Sequence, residues 1–192
     1  MRLRRVVFVT IALLLGSASA FAQEQIRFIE YSAKFLCGET KEGPSVRPGT
    51  YETSINIHNP SFFFGSVTFA KKAVLAPRQG DPQEKPQIRE FSVLDADYAE
   101  RVDCKKIRDL LSPAGGDPFI EGFVVLVVIP IPWPSEPREL DVVAVYTVDT
   151  PPRSISLEIE TIAPRVLSFP SQVGNDLREQ LLRRLKPESK PE

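Results

Sequence analysis

Along much of this chain, residues that favour the interior alternate one for one with residues that favour water. Tyr31, Ala33, Phe35 and Cys37 are interleaved with Ser32, Lys34 and Leu36. Tyr51, Thr53, Ile55 and Ile57 alternate with Glu52, Ser54, Asn56 and His58, and Ile155, Leu157 and Ile159 with Ser156, Glu158 and Glu160. Successive side chains of an extended strand point to opposite faces, so a period of two marks a strand with one buried and one wet face. Residues 67–75 and 98–104 read as further strands. Two segments, 119–129 and 140–146, are apolar at nearly every position, as a strand covered on both sides would be, and are expected near the middle of the fold. They are also expected to be antiparallel neighbours, joined by a connection through Pro130, Pro132, Trp133 and Pro134 that is too irregular for a two-residue turn. About seven or eight short strands with Pro-rich turns predict an all-β fold, a single antiparallel β-sandwich of immunoglobulin-like general shape, with a β-barrel as the alternative.

The N-terminus follows another rule. Arg2, Arg4 and Arg5 precede an apolar run over residues 6–15, and small residues then lead to an Ala20-Phe21-Ala22 triplet before Gln23. Those are the three regions of a secretory signal peptide, predicting cleavage after Ala22, with Ala20 as the alternative. The apolar run is shorter than the ~20 residues a membrane span needs, and prolines rule out a span at 119–134. The division expected is a signal peptide over 1–22, a β-sandwich domain over 23–168, and a C-terminal helix with a disordered tail over 169–192. Without the leader the chain carries 21 basic against 25 acidic residues, a net charge of −4. That balance, with no basic stripe, argues against nucleic acid as a partner. Lys71-Lys72 and Lys105-Lys106 are expected to be solvated strand ends.

Two cysteines, Cys37 and Cys104, would reach an oxidising compartment. One disulfide closing a long loop is the economical reading, since no C-x-x-C motif or cation cluster marks a redox pair. Helix signals are few. Residues 105–111 have room for a turn or two, and Leu177, Leu181, Leu182 and Leu185 form a stripe at helical spacing, with Asp176 expected in the first turn. A helix docked on its own domain is favoured over one reserved for a partner.

The candidate sites are sparse. His58 is the only histidine, so the usual nitrogen and sulfur ligands of a metal are lacking, and no G-x-S-x-G motif supplies a nucleophile. No catalytic residue, metal or cofactor is expected, and His58 is read as a partly exposed structural residue. Asp95, Asp97, Glu100 and Asp103 fit no calcium loop and read as a solvated acidic edge. Ile55 and Ile57 should face the core, and residues 59–64 should form the turn of a hairpin. In that corner Phe62, Phe63 and Phe64 are the candidate binding residues, an aromatic rim able to stack on apolar or sugar surfaces. Capping the end of the core is the competing role for them.

The stretches SAKFLCG at 32–38, GTYETSINIHNPS at 49–61, FIEGFVVLVV at 119–128 and LDVVAVYTV at 140–148 together resemble a family of secreted bacterial β-rich proteins. That family carries A-K-F-x-C-G, N-x-H-N-P and L-D-V-V-A-V-Y-T-like segments, and the likeness spans roughly residues 31–165. It implies a bacterial origin and an extracytoplasmic compartment, and assigns no catalytic residue. The chain departs from the family pattern after Asn59-Pro60-Ser61, where polar residues are more typical than three phenylalanines. The expected function is a secreted or periplasmic, non-enzymatic binding or interaction module of the cell envelope, with a protein or glycan as partner. An extracytoplasmic hydrolase is the alternative.

Overall fold

The structure, a computed structural model, describes residues 25–41, 46–61, 65–76, 88–111, 117–131, 136–150, 152 and 154–185. Among them are nine strands and two helices. The strands are β1 (Gln25–Thr40), β2 (Gly49–His58), β3 (Val67–Leu75), β4 (Glu90–Leu94), β5 (Ala99–Asp103), β6 (Phe119–Ile129), β7 (Asp141–Thr150), β8 (Ser154–Thr161) and β9 (Arg165–Pro170). Helix α1 (Cys104–Leu111) follows β5 directly, and α2 (Ser171–Leu185) follows β9. No helix among the described residues is long and apolar enough to cross a membrane.

The fold is all-β, antiparallel and sandwich-like, and its two halves are continuous. One hydrogen-bonded path runs β4-β3-β6-β1-β2-β7-β8. Strand β1 gives one edge to β6 over residues 29–38, while its other edge is divided between β9 at 25–30 and β2 at 38–40. Strand β2 gives one edge to β7, and its other to β1 at 49–51 and to β5 at 54–58. The short β1–β2 pairing is therefore the corner at which the sheet turns over on itself. Gly38 sits there with φ of +108°, and a Cβ on it would lie 1.8 Å from the Pro118 carbonyl oxygen. Only glycine accepts both that dihedral and that approach.

The alternation read from the sequence is what fills the space between the halves. Tyr31 and Phe35 of β1, Phe69 of β3, and Val124 and Leu126 of β6 meet Ile55 and Ile57 of β2, Val102 of β5 and Val142 of β7 in one buried cluster. Fully burying an aliphatic or aromatic side chain of this kind contributes about 1.5–3 kcal/mol. The Tyr31 hydroxyl, deep in the cluster, accepts a hydrogen bond from the Leu140 backbone N–H at 2.7 Å. Burial raises its pKa against the pull of that bond.

Cys37 of β1 is bonded to Cys104, the first residue of α1, with Cα atoms 5.5 Å apart and a sequence separation of 67. Asp103 caps the helix by accepting from the Lys106 N–H at 2.9 Å. From α1, Arg108 donates to the carbonyls of Cys37 and Pro118 beside the corner. At the other end, α2 lies on the outer face of β1 and β9. Leu177 and Leu181 pack against Ile26 and Phe28, and Gly174 lets the helix come down onto Ile26. The helix begins at Ser171, earlier than the leucine stripe suggests, so Asp176 lies beyond its first turn.

Three expectations are corrected. Strands β6 and β7 are not neighbours, because β1 and β3 occupy both edges of β6, and β2 and β8 both edges of β7. The connection between them crosses from one half of the fold to the other. Strands β2 and β3, which flank residues 59–64, likewise do not form the expected hairpin, since they share no ladder and belong to opposite halves. Lys71 is not a solvated strand end, for its side chain is fully buried.

Candidate interaction surface

Register places four strands side by side on the outer face of the β2–β7 half. Asp103, Ser54, Val145 and Ile159 stand in one row, and Arg101, Asn56, Val143 and Thr161 in the next. Further rows align Glu52, Thr147 and Leu157, then Thr50, Asp149 and Ile155. Polarity therefore changes across the face, from charged and amide groups on β5 and β2, through half-buried valines on β7, to bare aliphatics on β8. Ile155, Leu157 and Ile159 are 77%, 61% and 65% exposed. Their alternation predicts a buried face, but on β8 these residues stand on the outer side of the sheet, which no described element covers. Even its inward side, Ser156, Glu158 and Glu160, is exposed.

What holds β8 in place is its pairing with β7 and two fixed points. The Ile162 N–H donates to the Val142 carbonyl at 2.8 Å and the Ile162 side chain is buried. On the inward side, the Tyr146 hydroxyl donates to Glu160 Oε2 at 2.8 Å. Burial first, and then the bonded carboxylate, push the Tyr146 pKa well up.

His58 lies at the end of the same face, opposite Asp141. Its ring stands between two carboxylates, with Nδ1 3.3 Å from Asp141 and Nε2 3.4 Å from Asp97, all three side chains substantially exposed. Solvated pairs of this length are worth little, and the His58 side chain is partly exposed, as expected. Asn59, which sequence reasoning passed over, organises the corner. It is fully buried, its amide donates to the carbonyls of Leu94 (3.0 Å) and Gly65 (3.2 Å), and its Oδ1 accepts from the Ser61 N–H at 3.3 Å. The one available signal was its place between an alternating strand and Pro60. Phe62, Phe63 and Phe64 lie outside the described residues.

A second cluster was also missed. Lys71 projects inward from β3, where parity would place an apolar residue, and its ammonium pairs with Glu90 of β4 at 2.9 Å and with Glu100 of β5. Lys106 of α1 reaches Glu90 at 2.5 Å. Glu100 is thus an inward-facing partner and not part of a solvated edge. Burial pushes the Glu90 carboxyl up, but hydrogen bonds from Lys106 and Lys71 outweigh it and hold its pKa below the ordinary value. Two cations and two carboxylates balance, and they tie β3 and β4 of one half to β5 and α1 at the margin of the other. The arrangement is a latch between the two halves.

Among the described residues, no group of three or more His, Cys, Asp or Glu side chains is disposed to hold a metal ion. Comparison with family models, with curated proteins and with solved structures finds no match to this chain.

Proposed function

We propose that the chain is an extracytoplasmic interaction module of the bacterial cell envelope, secreted or periplasmic, that binds a protein or glycan of that envelope on the outer face of β2, β7 and β8. It performs no chemistry of its own. The observation that carries this reading is the exposed row Ile155, Leu157 and Ile159 beside Val143 and Val145. Contiguous apolar surface on an isolated domain marks a place where something else binds. The disulfide and the leader-like N-terminus support the compartment. Phe62, Phe63 and Phe64 remain assigned as binding residues on their sequence alone.

The test is capture of envelope proteins and glycans by the immobilised chain from Gln23 onward, compared with a Leu157→Ser/Ile159→Ser variant. Both positions are exposed, so the variant should keep its denaturation midpoint while losing capture. Equal capture by both proteins sinks the reading.

A further inference from the structure

Strand β8 is lightly guarded as well as exposed. It pairs with β7 alone among the described residues, through an unbroken register from Thr150↔Ser154 to Val143↔Thr161. Its other edge is a row of backbone donors and acceptors beside which no strand lies among the described residues. Natural sheets guard such an edge with lysine, proline, a bulge, shortness or inward-pointing charge, and β8 has only the last of these, in Glu158 and Glu160. Over 154–161 the sequence has no lysine and no proline, the ladder has no bulge, and the strand is 8 residues long. Prolines stand only outside it, at 151, 152 and 164. Among the described residues no strand covers the edge along its length, and prolines bound it in the sequence on both sides.

We propose that β8 accepts an extended segment of a partner polypeptide as an added strand, and that this segment alternates aliphatic with basic residues. The inference rests on reading the β2–β7–β8 face as a binding surface and names its occupant. Backbone pairing to a free edge supplies affinity that does not depend on sequence, and alternate side chains supply selectivity. On the outer side the added strand meets Ile155, Leu157 and Ile159, where aliphatic side chains would extend the apolar row. On the inner side it meets Glu158 and Glu160, with no basic residue between 154 and 161 to balance them. Cross-strand neighbours of opposite charge stabilise and like charges destabilise, so lysine or arginine belongs at those positions. A second copy of the chain fits less well. Setting β8 against β8 would match the aliphatic sides but gather both copies' Glu158 and Glu160 on the other side with no cation from either strand.

The test measures binding of synthetic peptides to the chain from Gln23 onward. The first peptide alternates valine and lysine over the length of β8, the second alternates valine and glutamate, and the third is the lysine peptide N-methylated at alternate amides. The lysine peptide should bind and the other two should not. Leu157→Lys, which places a charge in the apolar row, should weaken binding about tenfold or more. Glu158→Lys should lower affinity for the lysine peptide and raise it for the glutamate peptide. If the N-methylated peptide binds as well as its parent, strand addition is overturned while the apolar face survives as a surface. If the lysine peptide does not bind, or if the chain dimerises and Leu157→Lys abolishes the dimer, the assigned occupant is wrong. Failure of Leu157→Ser/Ile159→Ser to affect envelope capture would instead remove the surface itself.

Discussion

The buried side chain of Asn59 makes three hydrogen bonds, while the ring of His58 beside it makes two long contacts in solvent. Asn59→Ala should cost about 2 kcal/mol, because it leaves the buried Leu94 carbonyl without the donor that Asn59 supplies. His58→Ala should stay within about 0.5 kcal/mol of the parent. Paired denaturation curves of the two variants check both, and equal losses would contradict this account of the corner. A second residue-scale outcome concerns acid. The folded pKa of Glu90 lies below its ordinary value of 4.5, so its contribution to stability is present above that value and is lost as pH falls through the folded one. Stability measured against pH should therefore decline on the acid side of 4.5. In Glu90→Gln that acid limb should be shallower, and an unchanged limb would assign acid sensitivity to other carboxylates.

Helix α2 is held by a close approach and a few leucines. A Cβ at Gly174 would meet Ile26 side-chain atoms at 2.5–2.8 Å, so Gly174→Val should push the helix off β1 and β9. Hydrogen exchange over residues 171–185 should rise sharply in that variant while β2, β5 and β7 keep their protection. Uniform loss of protection would mean that the helix is inseparable from the sheet. Elements of this kind were readable in the sequence: the strands from alternation, with Ile55 and Ile57 inward, the cysteine pair from the compartment, and the final helix from Leu177 and Leu181. Neighbours were not readable. Alternation reports which face of a strand is wet and says nothing about which strand lies beside it, so β6 and β7 looked like a pair. Nor does it tell a face covered by its own domain from one left bare, and so β8 read like any half-buried strand. Lys71 failed for the converse reason. A lysine beside a lysine reads as surface unless the two carboxylates that receive it, 19 and 29 residues further on, are known to converge.

Across the whole molecule the disulfide joins β1 to the start of α1 and closes a loop over a sequence separation of 67. In the chain-entropy model such a bridge contributes about 4 kcal/mol. Cys37→Ala/Cys104→Ala should lose roughly that amount in chemical denaturation, and the unreduced parent should show no alkylatable thiol by mass. Two reactive thiols would overturn the bridge. The order of the strands has a further consequence, for timing. Strand β1 comes first among those described, yet its longest ladder is with residues 119–128 and its N-terminal half pairs with 165–170. A ribosome or a translocation pore delivers the chain from its N-terminus, so β1 must wait in an unfinished state until most of the polypeptide has emerged. During that interval its apolar side is open to chaperones and to wrong partners. Distant pairings of this sort place folding in the millisecond-to-second range, and they make arrival of the last strand, β9, the event that completes the first.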